Sequence, residues 1–266
     1  MSVHNHLEDS ERDRRLPAAA DLAELVERAA GLGSSGRRAL LGICGPPGVG
    51  KSTLAAALVN RVPVPAALVG MDSFHLAQDR LTQLGSRDRM GAIDTFDAWG
   101  FVALVQRLRN SPGEIIYAPE FRRDLEISIA AAVPVEPQVQ LVVIEGNYLL
   151  VPDQPWGKLS TVFDEIWYCE RDENLRIADL IARHRAYGKS DEDARRWVFE
   201  SDQKNAQLIQ TTRSRADLIV QLDGELTPEK SLALLPHLGN RVSRITCQMV
   251  DKTIYKHRNF HERTGS

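Results

Sequence analysis

One stretch of nine residues constrains the fold of this chain more than any other part of the sequence. Residues 45–53 read GPPGVGKST, which fits the phosphate-loop pattern G-x-x-x-x-G-K-[ST] in full. The apolar run 39–44, consistent with a buried strand, precedes the loop, and a run of helical composition, STLAAALVN, follows Lys51. Because the pattern carries its meaning between a strand and a helix, this context predicts a nucleotide phosphate in the loop.

Each part of the loop has its own predicted role. Gly48 and Gly50 permit backbone conformations in which successive N–H groups point at phosphate oxygens, and the following helix start adds partial positive charge. Lys51 is predicted to reach the β- and γ-phosphates, and the Ser52 hydroxyl is predicted to bind Mg²⁺. The predicted nucleotide-binding residues are Gly45, Pro46, Pro47, Gly48, Val49, Gly50, Lys51, Ser52 and Thr53.

Short apolar runs alternate with helical patterns along the rest of the chain. Strands are predicted over 39–44, 66–71, 141–144, 163–169 and 216–222, and helices over 17–31, after Lys51, after an N-cap at Asp94 or Thr95, and over 190–210. This alternation predicts an α/β fold with a doubly wound parallel sheet. The polar residues 1–16 are predicted to be disordered and the mildly basic residues 241–266 to form a tail or extension, which leaves one domain over 17–240.

The overall composition argues against nucleic acid and membranes as partners. Lysine and arginine together number 33 and acidic residues 36, so the formal net charge is −3. No apolar run approaches the roughly 18 residues that a membrane-spanning helix needs. The cysteines, Cys44, Cys169 and Cys247, are far apart and odd in number, which favours a cytoplasmic protein over a disulfide-bonded one.

Two acidic residues at strand ends separate the classes of protein that use such a loop. A GTP switch normally carries an N-K-x-D motif, which does not occur, and a mechanical ATPase usually carries Asp-Glu after an apolar strand. Here Glu145 is followed by Gly146, which leaves room for a small molecule. Asp72 follows the second predicted strand, at the edge where open α/β sheets bind ligands. It either caps a loop or orients a substrate hydroxyl and accepts its proton.

Seven stretches carry a family resemblance from about residue 40 to residue 222: GICGPPGVGKST, VGMDSFHL, GAIDTFDAWGF, YAPEFRRDLE, VVIEGNYLL, LIARHRAYGKS and SRADLIV. With them the chain resembles the phosphoribulokinase/uridine kinase family of P-loop small-molecule kinases. More narrowly, it is similar to the bacterial nucleoside/nucleotide kinase-like, or fructose-transport-associated kinase, branch. The resemblance implies a P-loop NTPase of the nucleoside-monophosphate-kinase-like three-layer type, with a five-stranded parallel sheet and a mobile lid at about 171–190. It also implies ATP-dependent phosphorylation of a hydroxyl.

The resemblance also implies roles for single residues. Asp72 matches the catalytic base of the family, and Glu145 matches an acid that serves either the metal or the substrate. Branch members tend to have glycine where this chain has Ser73, and a non-basic residue where it has Arg122. Both departures are expected near the acceptor pocket, so the identity of the acceptor stays open.

Several residues are candidates for contacts with the acceptor. His75 either donates a hydrogen bond to an acceptor hydroxyl or is an ordinary satisfied polar residue. Arg89 either enters the acceptor pocket or belongs to a solvated charged loop. Tyr117 and Arg123 resemble family positions that face the acceptor, where an arginine suits a phosphorylated or carboxylated acceptor or closure over ATP phosphates.

The basic segment LIARHRAYGKS is the predicted lid. Arg183 and Arg185 either flank a phosphate chain as the lid closes about Gly188 or are surface charges on a helix. Further on, Asp202 and Asn205 share a helix face. Their spacing alone predicts ordinary surface residues, whereas the resemblance places a polar pair there, near the acceptor.

Two functions remain after these arguments. The leading hypothesis is a kinase that uses ATP and Mg²⁺ to phosphorylate a hydroxyl of a sugar, a nucleoside or a related small molecule. In it Asp72, Lys51, Arg183 and Arg185 are catalytic, and His75, Arg89, Tyr117, Arg123 and Glu145 contact substrate. The alternative is a P-loop ATPase that acts as a regulatory or binding module without a small-molecule acceptor. A homodimer is compatible with the sequence, which does not specify the oligomeric state.

Overall fold

The computed structural model describes residues 18–19, 21–123 and 125–222. The predicted disordered segment 1–16 and the predicted tail 241–266 lie outside the described residues. None of the helices in the described ranges is long and apolar enough to cross a membrane. The helices are α1 (Leu22–Gly33), α2 (Lys51–Arg61), α3 (Gln78–Gln83), α4 (Ala98–Asn110), α5 (Glu173–Ala186), α6 (Asp191–Trp197) and α7 (Gln203–Gln210).

The strands form one parallel sheet and one separate hairpin. They are β1 (Ala18–Ala19), β2 (Ala39–Cys44), β3 (Ala66–Gly70), β4 (Ile116–Arg122), β5 (Ile127–Val135), β6 (Leu141–Glu145), β7 (Glu165–Glu170) and β8 (Leu218–Gln221). The parallel sheet has the order β1-β8-β7-β2-β6-β3. The predicted α/β fold with five parallel strands is therefore confirmed, and the two-residue β1 adds a sixth strand at one edge.

The register of the central strands determines where the loops after them meet. In the sheet Ile43 of β2 is level with Glu145 of β6, and Glu145 is level with Gly70 of β3. These positions are the last or next-to-last residues of their strands. The phosphate loop, the turn that contains Asp72 and the segment after Glu145 consequently start side by side at one edge of the sheet.

Helices cover both faces of this sheet, as a doubly wound fold requires. On one face α1 and α2 bury Leu25, Leu54 and Leu58 against apolar residues of β2, β6, β7 and β8. On the other face α4 buries Phe101 in a cluster that also contains Trp156. All residues of β2 and β6 are buried, which explains why both strands appear in the sequence as continuous apolar runs.

Several predicted helix boundaries were displaced. The first helix begins at Leu22, where the Asp21 carboxylate caps it, and not at Pro17. The cap of α4 is Asp97, which accepts from the Gly100 N–H at 2.8 Å, while Asp94 and Thr95 belong to a 3₁₀ turn. The helix predicted over 190–210 begins after Ser190, whose side chain caps it, but the run to residue 210 contains a π-helical turn at Val198–Asp202.

The antiparallel hairpin formed by β4 and β5 was not predicted from the sequence. Pro119 and the charges of PEFRR hide the period-two pattern of β4, and a register irregularity between Ala118 and Glu120 disturbs it further. The hairpin packs against the 3₁₀ turn Met71–Phe74 that follows β3. It therefore brings the end of β4 next to Asp72.

Arg38 anchors the start of β2, the strand that leads into the phosphate loop. Its side chain is buried, and its guanidinium donates to the backbone carbonyls of Leu108, Pro112, Glu136 and Val139 at 2.8–3.4 Å. These carbonyls belong to segments around α4 and between β5 and β6. One side chain thus satisfies four backbone groups from two segments that are far apart in the sequence.

We expect Arg38→Met to lower the free energy of unfolding by about 2–4 kcal/mol, because buried carbonyls lose their donor. Urea unfolding monitored by circular dichroism measures this loss. Arg37→Met is the matched control: Arg37 is 64% exposed and pairs with Asp164 at the surface, so its loss should cost less than about 1 kcal/mol. Equal costs for the two variants would contradict the anchoring role of Arg38.

Candidate active site

A cleft of about 470 Å³ lies at the edge of the sheet where β2, β3 and β6 end. Residues 47–53 of the phosphate loop form one wall, whereas Gly45 and Pro46 do not line the cleft. The remaining lining residues are Asp72, His75, Arg87, Met90, Gly91, Phe96, Phe121, Arg123, Glu126, Glu145, Asn147, Arg171, Asp179, Arg183, His184, Tyr187, Lys189, Trp197, Asp202, Asn205 and Leu222.

The phosphate loop has the backbone that its glycines were predicted to permit. Gly48 and Gly50 have φ angles of 79° and 105°, in the left-handed region that favours glycine. A side chain on Gly48 would also overlap Leu180 of α5, so the loop packs directly against that helix. Gly50 is the N-cap of α2, which starts at Lys51. The loop is thus a helix N-terminus with exposed N–H groups, the geometry that binds phosphate.

Lys51 is buried at the base of the cleft, where its Nζ donates to the Pro46 carbonyl at 3.0 Å. Burial lowers the pKa of its ammonium group, and the carboxylates of Glu145 and Asp72 act in the opposite direction. A buried ammonium group with nearby carboxylates is a fixed positive charge in a poorly hydrated site. Such a charge acts strongly on a phosphate because little water screens it.

Ser52 and Glu145 form a pair of oxygen ligands next to Lys51. The Ser52 hydroxyl donates to Glu145 Oε2 at 3.2 Å. Burial and the charge of Asp72 raise the pKa of Glu145, against the effects of Lys51, Arg123 and the Ser52 hydrogen bond. A hydroxyl beside a carboxylate fits Mg²⁺, which protein sites bind through few side chains. Among the described residues, no cluster of three or more His, Cys, Asp or Glu side chains could hold a metal.

Asp72 lies in the 3₁₀ turn Met71–Phe74, directly after β3. Arg123, which follows β4 in the hairpin, donates to Asp72 Oδ2 at 2.7 Å. Burial alone would raise the pKa of Asp72, but the charges of Arg123, His75, Lys51 and Arg183 outweigh it and hold that pKa below its usual value. Asp72 is consequently a carboxylate at neutral pH, with one oxygen held by Arg123.

His75 lies at the end of the same turn with its ring between Phe96 and Phe121, at centroid distances of 4.0 and 5.3 Å. Its Nδ1 is 2.7 Å from the backbone carbonyl of Asp72. A carbonyl oxygen only accepts, so Nδ1 carries the proton. Burial lowers the pKa of the ring. In the resulting neutral ring Nε2 accepts a hydrogen bond, which differs from the donor role that the sequence analysis considered.

The expectation about Gly146 was wrong. A side chain at Gly146 would meet Met71, with a Cβ–Cβ separation of 2.6 Å. The space beside this glycine is filled by the buried Met71 side chain and is not open to a small molecule. The two departures from the branch pattern are also outside the cleft lining: Ser73 is buried and donates to the Gly70 carbonyl, and Arg122 is level with Ile127 in the hairpin.

The two predicted lid arginines do not act together in this structure. Both belong to α5, where residues two apart point to opposite sides of the helix. Arg183 lines the cleft and has no ion pair with a described residue, whereas Arg185 is exposed and pairs with Asp191 at 3.4 Å. In this structure only Arg183 faces the cleft, because the segment is helical at both positions, and Arg185 matches the alternative of a surface charge on a helix.

Two further predicted contact residues are not brought to the cleft. The Arg89 guanidinium is bound by the Asp94 carboxylate and by Ser86, and the neighbouring Arg87 lines the cleft in its place. Tyr117 is 55% exposed on β4 and is also absent from the lining. The sequence did not reveal the 3₁₀ turn Arg87–Arg89, which decides which arginine faces inward.

Asp202 and Asn205, predicted from spacing to be surface residues, are buried in the cleft lining. His184 Nε2 is 2.9 Å from Asp202 Oδ2, which ties α5 to the π-helical turn. The sequence contained a signal for this burial. Both residues lie on the same helical face as Val198, Ala206 and Ile209, which are also buried.

Most of the chain matches one family of known proteins. Residues 40–226 match the phosphoribulokinase/uridine kinase family. The chain belongs to this family. Membership makes it an ATP-dependent phosphotransferase that acts on a hydroxyl, as the sequence resemblance implied.

Individual kinases of this family and fold are similar over most of the chain. A Schizosaccharomyces pombe protein, provisionally named as a uridine kinase, is 28% identical over 216 residues, which cover 77% of this chain and 92% of that protein. A crystal structure from Silicibacter sp. TM1040, provisionally described as a fructose transport system kinase, is 33% identical with a TM-score of 0.69 and covers 76% of this chain and 99% of that one. Phosphoribulokinase from Rhodobacter spheroides, at 14% identity, TM-score 0.53 and 71% coverage of each chain, shows the shared fold alone.

The two lid arginines provide a matched pair of variants. We expect Arg183→Ala to lower kcat by about 100-fold or more, because a cation that faces developing phosphate charge is lost. Arg185→Ala, one half-turn away and outside the cleft, should stay within about threefold of the wild type, since it loses only an exposed ion pair. Steady-state ADP release with Mg-ATP and an accepted substrate measures both. A larger loss for Arg185→Ala would contradict the assignment.

Glu145→Gln tests the raised pKa of Glu145 through the pH dependence of the free energy of unfolding. Because burial and Asp72 raise the pKa of Glu145, the wild-type folded state loses stability as pH rises from the usual glutamate range through the raised value. The variant carries no titrating group at position 145. The free energy of unfolding of the variant minus that of the wild type should therefore be larger at pH 8 than at pH 5. Urea unfolding without Mg²⁺ measures this, with Glu114→Gln as an exposed control. A pH-independent difference would contradict the prediction.

Proposed function

We propose that this chain transfers the γ-phosphate of ATP to a hydroxyl group of a small molecule such as a sugar, a nucleoside or a related metabolite. The observation that carries the proposal is a carboxylate, Asp72, in the same cleft as the phosphate loop. The names of the similar proteins, a uridine kinase and a fructose transport system kinase, support an acceptor of this kind.

Asp72 aligns the acceptor in the proposed reaction. Its Oδ1, which has no hydrogen-bond partner among the described residues, accepts the proton of the acceptor hydroxyl. The acceptor oxygen forms a bond to the γ-phosphorus, and the bond from that phosphorus to the β,γ-bridging oxygen breaks. ADP leaves with the electron pair. Arg123 keeps Asp72 ionised and oriented through Oδ2, so the carboxylate is ready to accept a proton late in the transfer.

The remaining residues bind and neutralise the phosphates. Lys51 and the N–H groups of the loop hold the β- and γ-phosphates from one wall, and Arg183 faces them from the lid. Ser52 and Glu145 are the residues that would hold Mg²⁺, which when bound offsets negative charge on the phosphate oxygens. The mobility of the lid stays a prediction, with Gly188 as its expected hinge (φ 94°).

Asp72→Asn separates this proposal from a regulatory ATPase without an acceptor. We expect phosphorylation of the acceptor to fall by about 100- to 10,000-fold, because the general base is lost. ATP binding, measured by calorimetry, should change little, since the loop and Lys51 are intact. Product mass spectrometry measures transfer.

The ATPase alternative gives a different result in the same experiment. It requires ADP release that no acceptor stimulates and that Asp72→Asn leaves unchanged. Loss of ATP binding in the variant would instead assign Asp72 a structural role.

A further inference from the structure

The turn after β3 aligns two hydrogen-bond acceptors that have no proton to give. Asp72 and His75 are three residues apart, and the His75 N–H closes the 3₁₀ turn on the Asp72 carbonyl at 3.1 Å. Side chains three apart in such a turn lie above one another, so both face the same side. Both line the cleft. The free atoms there are Asp72 Oδ1 and His75 Nε2, neither of which has a hydrogen-bond partner among the described residues.

Contacts within the turn and from neighbouring segments hold Asp72 Oδ1 and His75 Nε2 in place. The bond from Nδ1 to the Asp72 carbonyl sets the tautomer of His75, and stacking between Phe96 and Phe121 sets the plane of its ring. The Arg123 bond sets the orientation of the Asp72 carboxylate. A single ligand that satisfies both atoms must offer two donors, and the side of the turn that the two atoms share favours donors on adjacent atoms of the ligand.

The charges around this turn are already paired. Two arginines of the acceptor side are bonded to carboxylates: Arg123 to Asp72 at 2.7 Å, and Arg87 to Glu126 at 2.8 Å. Of the lysines and arginines that line the cleft in the described part of the chain, Lys51, Arg183 and Lys189 lack an acidic partner. They lie on the phosphate loop and the lid segment, which the proposed function assigns to ATP. An anionic acceptor would therefore place its negative charge beside the Asp72 and Glu126 carboxylates, which already offset the charges of these arginines.

From this arrangement, and resting on the proposed function, we propose that the acceptor is an uncharged molecule with two neighbouring hydroxyl groups. One hydroxyl donates to Asp72 and receives the phosphate, and the adjacent one donates to His75 Nε2. His75 is therefore a specificity-determining residue that distinguishes a diol from a lone hydroxyl. The alternative of a phosphorylated or carboxylated acceptor bound by Arg123 is disfavoured because the Asp72 carboxylate already offsets the positive charge of that guanidinium.

The first experiment compares matched acceptors with the full-length protein and Mg-ATP. The probes are D-ribose, 2-deoxy-D-ribose and D-ribose 5-phosphate, together with glycerol, 1,3-propanediol and glycerate. Tandem mass spectrometry locates the phosphorylated oxygen of each product, and an analogue that lacks the adjacent hydroxyl is then measured. We expect kcat/KM for the uncharged vicinal diol to exceed those of the deoxy and anionic counterparts by about tenfold or more, because an unpaired buried acceptor is costly.

The second experiment assigns this discrimination to His75. His75→Asn keeps an N–H near the Nδ1 position but removes Nε2, so kcat/KM for the diol should fall by about 10- to 100-fold and that for the deoxy analogue by less than about threefold. His75→Gln places an amide oxygen near the Nε2 position and should restore part of the preference. Equal losses on both substrates, with no rescue by glutamine, would give His75 a purely structural role and overturn the inference.

The outcomes distinguish this inference from the function on which it rests. If none of the probes or their analogues is phosphorylated, the proposed transfer fails and this inference fails with it. If anionic molecules or molecules with a lone hydroxyl are phosphorylated best, the transfer stands and the inference is wrong. Preference for the uncharged diol that depends on His75 supports both.

Discussion

The register between β2, β6 and β3 is the constraint on which the rest of the site depends. Parallel pairing sets Ile43, Glu145 and Gly70 level with one another, so three chain segments leave the sheet at the same height. A shift of one residue in β6 would turn Glu145 to the other face of the sheet. Core packing opposes that shift, because Val142 and Ile144 of β6 pack into one core cluster and Leu141 and Val143 into the other, and the shift would exchange them. Packing of the core thus determines the chemistry at the edge.

The same edge concentrates opposite charges, and their balance gives the two carboxylates different properties. Asp72 and Glu145 share a buried cleft, which would raise the pKa of both if they were alone. Arg123 reaches Asp72 from the hairpin and holds its pKa low, whereas Glu145, bonded by Ser52, keeps a raised pKa. Asp72 is therefore a stable carboxylate beside the acceptor. Glu145 is the group whose ionised form a cation next to Ser52 would stabilise most. The hairpin, which lies outside the main sheet, therefore causes the difference between the pKa values of Asp72 and Glu145.

Much of the donor half of the cleft could be predicted from the sequence, and much of the acceptor half could not. The loop at 45–53 and the acids at the ends of β3 and β6 follow from local pattern and from parallel topology. The acceptor side depends on local geometry with no clear sequence signal. A 3₁₀ turn places Arg87, and not Arg89, in the cleft lining, and the geometry of α5 places Arg183 in the lining and Arg185 outside it. Burial of Asp202 and Asn205 was readable from the helical face they share with apolar residues. The roles assigned to all these side chains remain predictions until they are measured.

The central claim is that the phosphate loop and Asp72 are the two halves of one transfer site. The most direct test uses ATP labelled with ¹⁸O on the γ-phosphate, a mixture of uncharged polyols and mass spectrometry of every product. If the two halves act together, the labelled phosphoryl group appears on a polyol oxygen and ADP release depends on that polyol. Label recovered only in inorganic phosphate, at a rate that no polyol changes, would contradict it.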